Sequence, residues 1–220
     1  MGAVATASGV TVLFAKLLAQ PGVVEHMALG SRFGFLAFHG GALEKMTDVI
    51  AADAAERAGA SLYTVALPAG LWWHIPSTEV RPEASPALAA FLDHVDVAVA
   101  VHGYGRDGLW TSLLAGGTNR ALAAHLASHL EPCLPDHEVV TDIERIPVRL
   151  RGRHPRNPVN LPRDGGVQLE LPPRVRGLSP KSLPDHTERL VTGLARAAAA
   201  WIGSAHGPAD LRGGAAGRVL

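Results

Sequence analysis

The chain has 220 residues and a mass of 23.0 kDa; 47% of its residues are hydrophobic, 18% are charged, and its mean hydropathy is +0.15. This composition predicts a folded globular protein and excludes an intrinsically disordered one. Twenty Lys and Arg residues balance twenty Asp and Glu residues, and the pI near 7.2 argues against the strongly basic surface of a general nucleic-acid-binding protein.

Cysteine content and apolar segments bear on the compartment. The single cysteine, Cys133, can form neither an internal disulfide nor a Cys-based zinc knuckle. The apolar run at residues 10–18 is broken by Lys16 and lacks the basic segment and cleavage pattern of a secretion signal. No uninterrupted stretch approaches the roughly 20 apolar residues of a membrane span. We therefore expect a soluble, cytoplasmic protein with no nucleic-acid or membrane partner, and its oligomeric state is left open.

The first half of the chain alternates short apolar runs with amphipathic segments. Gly59 is well placed to end the first predicted helix, and Ser85 followed by Pro86 is a typical helix start. In chain order the predicted elements are a strand at 33–38, a helix at 48–58 capped by Thr47, a strand at 61–67, a helix from Pro86 to Leu92 and a strand at 96–101.

The second half of the chain has a less regular pattern. Residues 149–166 are rich in Pro, Gly and Arg and are predicted to form a long surface loop. The predicted elements are a helix at 118–130 capped by Thr118, a strand at 139–143, a strand at 167–171 and a helix at 184–202.

The alternation of strands and helices predicts the fold class. We expect one α/β domain over residues 1–205, with a central mixed, mainly parallel sheet flanked by helices. The glycine-rich residues 206–220 are predicted to be a flexible C-terminal tail.

Side chains that can carry chemistry follow three of the predicted strands. His39, His102 and Glu170 lie at or near the carboxyl ends, where open α/β sheets bind ligands. Glu44 comes five residues after His39, beyond a flexible Gly-Gly turn. Two imidazoles and one carboxylate are the common protein ligands of a catalytic zinc ion, with a fourth position for water. We interpret His39, Glu44 and His102 as a zinc site; the alternative is histidines that only hydrogen-bond loop carbonyls.

Two other patterns suggest different chemistry. Residues 103–108 match the dinucleotide fingerprint G-x-G-x-x-G, which would fit a nicotinamide-dependent oxidoreductase, but only a few residues separate them from the next glycine pair. His125 and His129 share a predicted helix face, yet Leu126 stands where a metalloprotease has glutamate, so a solvated helix face is expected. No serine-hydrolase elbow or phosphate-binding P-loop occurs.

Positive charge is concentrated in one segment of the chain. Residues 145–176 contain eight arginines against two acids, Asp164 and Glu170. Because a planar guanidinium pairs well with a carboxylate, this segment is predicted to hold an anionic substrate over the metal. Most of these arginines, taken one by one, are expected to be solvated.

Five stretches, in this order along the chain, carry a family resemblance: FHGGALEKMT (38–47), HIPSTE (74–79), VHGYG (101–105), LLAGGTNRAL (113–122) and NPVNLPRDGGVQLELPPRVRG (157–177). With them the sequence resembles the poly-gamma-glutamate hydrolase family, a set of zinc-dependent phage and bacterial enzymes similar in fold to zinc carboxypeptidases. The resemblance spans about residues 31–177. It implies a zinc carboxypeptidase-like fold, zinc ligation by His39, Glu44 and His102, and Glu170 as the catalytic carboxylate.

The resemblance also implies an activity. We expect a zinc-dependent amidohydrolase that cleaves an amide next to a carboxylate, with an anionic peptide or gamma-glutamyl compound as substrate. Leu161 stands where the family is expected to favour arginine, and we predict that Arg163 replaces it. Asn160, Tyr104 and Gln168 are the other predicted substrate-binding residues. The alternatives are a degenerate module that binds a polyanionic peptide or a metal without turnover, and the nicotinamide-dependent oxidoreductase.

Overall fold

Seven strands form the centre of the computed structural model, which describes residues 13–204. The strands are β1 (Val24–Ala28), β2 (Phe33–Gly41), β3 (Ser61–Leu67), β4 (Val97–Gly103), β5 (Ser112–Ala115), β6 (Glu138–Val140) and β7 (Gly166–Leu171). They form one sheet in the order β1-β3-β2-β4-β7-β5-β6. Four neighbouring pairs are parallel, and β1 with β3 and β5 with β7 are antiparallel. The prediction of a mixed, mainly parallel sheet is confirmed.

Helices cover both faces of the sheet. They are α1 (Leu13–Leu18), α2 (Thr47–Ala58), α3 (Pro86–His94), α4 (Arg120–Leu130) and α5 (His186–Gly203). Side chains of α2, α4 and α5 share one buried core with Phe35 and Val99, and those of α1 and α3 share a second core with Leu36 and Ala100. Because neighbouring strand residues point to opposite faces, β2 and β4 contribute to both cores. The α/β prediction is therefore confirmed, with the sheet between two helical layers.

Several element boundaries differ from those that the sequence predicts. The strand at 61–67 is confirmed at both ends, whereas the strand predicted at 139–143 is β6 followed by a short 3₁₀ turn at Ile143–Arg145. The sequence pattern does not reveal β1 and β5. Most side chains of β1 are exposed at the edge of the sheet, and β5 has only four residues, so neither gives a clear apolar period.

Of the predicted helix caps, the one at Ser85 is confirmed and the one at Thr118 is wrong. Ser85 caps α3 as predicted, because its hydroxyl accepts a hydrogen bond from the backbone N–H of Leu88 at 2.9 Å. Thr118 does not cap α4. The helix begins two residues later, and the side chain of Asn119 accepts from the N–H of Leu122 at 2.8 Å.

The last helix, α5, begins at His186, two residues later than predicted. No helix within residues 13–204 is long and apolar enough to cross a membrane. The predicted flexible tail at 206–220 lies outside the described residues.

Candidate metal and catalytic site

The side chains predicted to carry chemistry meet at one edge of the sheet. His39 lies in β2, His102 in β4 and Glu170 in β7, each within two residues of the carboxyl end of its strand. The strand β4 lies between the other two, and His102 is the register partner of Glu170. The pairing of β2 with β3 is irregular between Ala37 and Gly40, at the position of His39. Three separate segments therefore deliver their side chains to one place.

Glu44 is the centre of this group. Its Oε1 atom lies 3.0 Å from Nδ1 of His39, and its Oε2 atom lies 3.3 Å from Nδ1 of His102. The backbone N–H of Gly103 donates a hydrogen bond to Oε2 at 2.9 Å. The side chains of His39 and His102 are almost fully buried, and that of Glu44 is 11% exposed. Glu44 thus contacts both of the histidines that the sequence predicts as metal ligands, His39 and His102.

A tight turn carries Glu44 to this position. Gly41 has a φ of 67°, and Met46, with a φ of 73°, has the left-handed conformation that non-glycine residues rarely adopt. The N–H of Glu44 donates to the carbonyl of His39 at 2.8 Å. Thr47 is the first residue of α2 and not its cap, and its hydroxyl donates to the carbonyl of Glu44 at 2.7 Å. The predicted Thr47 cap is wrong because this hydroxyl holds the turn instead.

The contacts of His39 require positive charge between it and Glu44. Its Nε2 atom lies 2.9 Å from the carbonyl oxygen of Ile75, which can only accept, so Nε2 carries a hydrogen. In a neutral imidazole, Nδ1 then has a lone pair, and this atom faces the carboxylate of Glu44. Two lone pairs at 3.0 Å repel each other, so a proton or a metal cation has to lie between them. A metal-ligating histidine typically donates its other N–H to such a carbonyl.

A further histidine, His74, joins the group. The only sign of it in the sequence is that it is the first residue of the HIPSTE stretch at 74–79. Ligand atoms of His39, Glu44 and His74 all lie within 4.8 Å of one another. The His74 side chain is 58% exposed, in contrast to the buried His102. His102 is outside this set of atoms; it contacts the group through its Nδ1 atom, 3.3 Å from Oε2 of Glu44, and its ring centroid lies 5.2 Å from that of His39. The Nε2 atom of His102 is buried without a hydrogen-bond partner among the described residues.

Burial and charge act in opposite directions on this group. Burial acts to raise the pKa of Glu44, but His102 and His39 outweigh it and hold that pKa well below its usual range. Burial acts to lower the pKa of His102, but the carboxylates of Glu44 and Glu170 raise it overall. The site therefore favours an ionised Glu44 surrounded by positive charge, which protons or a metal cation can supply.

Glu170 is the second buried carboxylate of the site. The side-chain amide of Gln168 donates to its Oε1 atom at 2.7 Å, and Asn157 in turn donates to the oxygen of Gln168 at 2.7 Å. Burial raises the pKa of Glu170 to about 7, with a further contribution from Glu44 and against an opposing one from His102. A carboxyl group with a pKa near neutrality can both accept and donate a proton.

All of these groups line one cavity of about 610 Å³. This volume lies in the range of small-molecule and peptide sites. Residues of the His/Glu group line it together with residues from the segments at 74–78 and 148–154. The lining residues are His39, Glu44, His74, Pro76, Ser77, Thr78, His102, Gly103, Tyr104, Val148, Arg149, Leu150, Gly152, Arg153, His154, Asn157, Gln168 and Glu170.

Two of the predicted substrate-binding residues, Tyr104 and Gln168, line this cavity. The hydroxyl of Tyr104 lies 2.6 Å from the carbonyl oxygens of Leu109 and of Ser112, so it donates within the protein. The amide of Gln168 holds Glu170, as described above. Both side chains therefore shape the cavity through contacts inside the protein.

A third predicted substrate-binding residue, Asn160, is not among the cavity-lining residues. Its amide donates to the carbonyl of Gly152 at 2.7 Å and to that of His154 at 3.0 Å, and its oxygen accepts from the N–H and hydroxyl of Thr118. Asn160 thus fixes the backbone of the arginine-rich loop.

Arg163, the predicted substrate clamp, lies at the opposite end of β4. Its Nη2 atom is 3.2 Å from Oδ2 of Asp96 and 3.1 Å from Oδ2 of Asp164. Asp96 directly precedes β4, whereas His102 is near its far end, and a strand of this length spans roughly 20 Å. The structure therefore does not bring Arg163 to the cavity, because the chain after Pro162 turns toward the amino ends of the strands.

Two other arginines of the same segment, Arg149 and Arg153, do line the cavity. Both are exposed, and neither forms an ion pair with any residue in the described part of the chain. Arg151 lies between them in sequence but forms an ion pair with Glu144, with its Nη2 atom 3.0 Å from the carboxylate. The sequence does not distinguish these three arginines, since their roles depend on which way the loop turns.

The remaining histidine pair and the glycine pattern have structural explanations. The Nε2 atom of His125 lies 2.9 Å from the carbonyl of Ala197 in α5, and its ring packs against Trp201. The expectation of a solvated face is therefore wrong for His125. Residues 103–108 lead into β5 and not into the helix that a dinucleotide fingerprint opens.

Comparison with known protein families gives one match. The family model of poly-gamma-glutamate hydrolase matches residues 15–184, which is most of the chain. No curated protein sequence matches it.

Comparison with solved structures supports the same fold. A bacteriophage poly-gamma-glutamate hydrolase superposes with a TM-score of 0.70 and 23% sequence identity, covering 86% of this chain and 94% of that one. A zinc-free structure of a protein named YNDL superposes with a TM-score of 0.67 and 20% identity, covering 83% of this chain and 92% of that one. At these identities the likeness shows a shared fold.

Proposed function

The chain belongs to the poly-gamma-glutamate hydrolase family, and from this premise we propose that it is a zinc-dependent amidohydrolase that cleaves a gamma-glutamyl amide bond. The family match and the fold support the assignment of the protein as a hydrolase. Zinc, the bond and the roles of individual residues are the proposed part. The observation that carries the proposal is the buried carboxylate of Glu44 with three histidines around it, beside Glu170 in one cavity.

We assign the zinc ligands to His39, Glu44 and His102. The donor set fits, because two imidazoles and a carboxylate suit zinc, and the contacts of His39 already require positive charge at its Nδ1 atom. His74 is close enough to be an alternative third ligand. We favour His102 because it is buried and its Nδ1 atom lies 3.3 Å from Oε2 of Glu44, whereas His74 is largely exposed and lies 3.9 Å from Oε1. The zinc-free form of the fold relative YNDL supports zinc as the metal.

When bound, zinc supplies Lewis-acid chemistry, which polarises a carbonyl oxygen and lowers the pKa of water. Glu170 provides the proton transfer. It lies beside His102 in the sheet, and with a pKa of about 7 it can take a proton from water and deliver it to the leaving nitrogen. Gln168 holds one carboxylate oxygen of Glu170, Oε1, and so fixes the plane of the group during this transfer.

Substrate binding is assigned to Arg149 and Arg153, in place of Arg163. Both residues line the cavity, and their guanidinium groups have no carboxylate partner within the described chain, so a substrate carboxylate can take that place. A gamma-glutamyl chain carries a free carboxylate on each residue. Such a substrate would therefore offer a partner to each arginine while its amide lies over Glu44 and Glu170.

The loop that carries these arginines is held at defined points, so that its side chains are presented without a large ordering cost. The carbonyl of Arg151 accepts from the N–H of Gly117 at 2.7 Å, and the carbonyl of Gly152 accepts from Asn160. Gly117 has no room for a side chain, because a Cβ there would lie 2.3 Å from the carbonyl of Gly166. Asn160 and Gly117 thus hold the backbone of the loop that carries the two arginines.

The direct test is hydrolysis of poly-gamma-glutamate by the purified full chain with measured zinc content. Poly-alpha-glutamate has the same charge but a different amide, and it serves as the substrate control. We expect about one zinc ion per chain, shortening of the gamma polymer only, and loss of this activity in Glu170→Gln.

The other outcomes identify the alternatives. Zinc binding with tight polymer binding and no cleavage would favour the degenerate binding module. A chain that takes up no zinc at neutral pH would contradict the assignment of the metal site. Equal cleavage of both polymers would contradict the gamma-glutamyl specificity.

A further inference from the structure

Arg176 is a buried arginine in the segment between β7 and α5. It is 7% exposed, and no acidic side chain of the described chain forms an ion pair with it. Its Nη1 atom donates to the carbonyl of Lys45 at 2.9 Å, and its Nη2 atom donates to the carbonyl of Tyr104 at 3.2 Å. A buried guanidinium held only by backbone carbonyls is unusual, because burying a charge is costly unless the charge is both hydrogen-bonded and paired with an opposite charge.

The two carbonyls belong to the two segments that form the site. Lys45 directly follows Glu44, and Tyr104 comes two residues after His102. One guanidinium therefore bonds the turn that carries Glu44 to the end of the strand that carries His102. The planar fork of arginine can span two acceptors in this way, whereas the single nitrogen of lysine cannot match the same geometry.

Gly103 gives the guanidinium its position. A Cβ atom added at Gly103 would lie 2.6 Å from Nη1 and 2.7 Å from Cζ of Arg176, so the guanidinium lies directly against the glycine backbone. The N–H of the same glycine donates to Oε2 of Glu44 at 2.9 Å. Arg176 thus lies against the peptide that holds the Glu44 carboxylate.

The turn that carries Glu44 needs such support. Met46 has a φ of 73°, and a non-glycine residue in this conformation persists only where its surroundings hold it. The bond from Arg176 reaches the residue directly before Met46. Burial lowers the pKa of Arg176 below its usual value, while the nearby carboxylates of Glu44 and Glu170 act in the opposite direction.

We propose that Arg176 is a positioning residue that fixes the Glu44 turn against the His102 strand end and thereby sets the place of the Glu44 carboxylate in the metal site. This inference rests on the proposed metal site. It goes beyond it by assigning a role to a residue that is not among the cavity-lining residues and whose two Nη groups are both bonded to backbone carbonyls.

The experiment compares Arg176→Met and Arg176→Lys with a matched control, Arg174→Met. Arg174 lies two residues away in the same segment, and its side chain makes no hydrogen bond or ion pair within the described chain. Two readouts are used: zinc affinity of the full chain by competition with a chromophoric chelator, and amide hydrogen exchange of residues 41–46 in the zinc-free protein.

We expect Arg176→Met to weaken zinc binding by roughly 10- to 100-fold, as for other residues that support a metal ligand from behind. Exchange in residues 41–46 should become faster, while the rest of the sheet stays protected. Arg176→Lys should recover part of both effects, since it keeps the charge and one of the two bonds. Arg174→Met should behave as the wild type.

A second variant keeps the test decisive if Arg176→Met does not fold. Gly103→Ala retains the arginine but displaces its guanidinium, and it should also weaken zinc binding and speed exchange in the turn. Wild-type exchange in residues 41–46 in a folded Arg176→Met or Gly103→Ala protein would overturn the inference, and so would unchanged zinc affinity. A wild-type protein without zinc affinity would overturn the proposed function, while faster exchange in Arg176→Met would still support the role of Arg176 in the turn.

Discussion

The two ends of the central strands differ in how their charged side chains are compensated. At the amino end, Arg32 and Arg163 both pair with Asp96, and Arg163 also pairs with Asp164, all at 3.0–3.2 Å and all at least partly exposed. At the carboxyl end, Glu44 is buried among histidines, which carry a positive charge only when they are protonated. The first arrangement is already balanced, whereas the second is balanced only when protons or a cation enter.

The arginines show the same contrast. Arg163 at the amino end has two carboxylate partners, while Arg149 and Arg153 at the carboxyl end have none within the described chain. The charge of Arg163 is already compensated by two carboxylates, so an incoming anion would meet less uncompensated positive charge there. Unpaired charges on a cavity wall are free to bind. Substitutions at the two ends should therefore differ in their effects on zinc binding, catalysis and stability.

The largest effect is expected for Glu170, the proposed proton carrier. Glu170→Gln should lower kcat for poly-gamma-glutamate by roughly 10²- to 10⁴-fold, because the amide cannot take up a proton. Zinc content should not change, since Glu170 is not a proposed ligand. Asp164→Asn removes a carboxylate at the amino end and should leave kcat unaltered. Loss of zinc from Glu170→Gln would make this residue a ligand instead.

The next effect separates the two histidines that are candidates for the third ligand, His102 and His74. His102→Ala should weaken zinc binding more than the roughly 10- to 100-fold typical of a supporting residue, because it removes a buried ligand. His74→Ala should have a smaller effect, since this side chain is mostly exposed at the edge of the cavity. Zinc affinities of the two folded variants give the comparison. The reverse order would assign the third ligand to His74.

The third effect compares arginines at the two ends. Arg149→Met and Arg153→Met should each raise KM by about tenfold, because a charge-assisted hydrogen bond contributes about 1.5 kcal/mol, and kcat should change less. Arg163→Met should leave KM as it is. Steady-state kinetics over a range of polymer concentrations measures all three. A raised KM in Arg163→Met would show that the amino end takes part in substrate binding.

The smallest effect concerns stability. Arg163→Met should lower the midpoint of thermal unfolding slightly at low salt, since it removes exposed ion pairs with Asp96 and Asp164. High salt screens exposed charges, so the difference from the wild type should shrink there. Thermal unfolding at two salt concentrations measures it. A difference that grows with salt would mean that Arg163 acts through packing.

Much of the site could be predicted from the sequence, for a definite reason. His39, His102 and Glu170 each end a buried strand, and parallel strands place their carboxyl ends at one edge, so strand prediction alone brings the three together. Glu44 is close to His39 in sequence and needs only a turn to reach it. These residues are placed by local structure and by the general geometry of parallel sheets.

The residues that prediction misplaced depend on the path of loops. The sequence predicts Arg163 at the cavity as the replacement for an arginine at Leu161, but the loop returns to the amino ends of the strands before β7 begins. His74 lies in a loop whose apolar pattern says nothing about its direction, and it reaches Glu44 only in the folded chain.

Apolar periodicity and strand ends are local properties of the chain, and they are enough to predict the α/β class, the order of most elements, and the group of His39, Glu44, His102 and Glu170. Which arginines line the cavity, that His74 joins the group, and that Arg176 lies against Gly103 are outcomes of the three-dimensional fold. These outcomes depend on contacts between residues far apart in the chain: the carbonyls that Arg176 bonds belong to residues 131 and 72 positions away. No periodicity in a sequence records such distances, since they follow from how the layers pack.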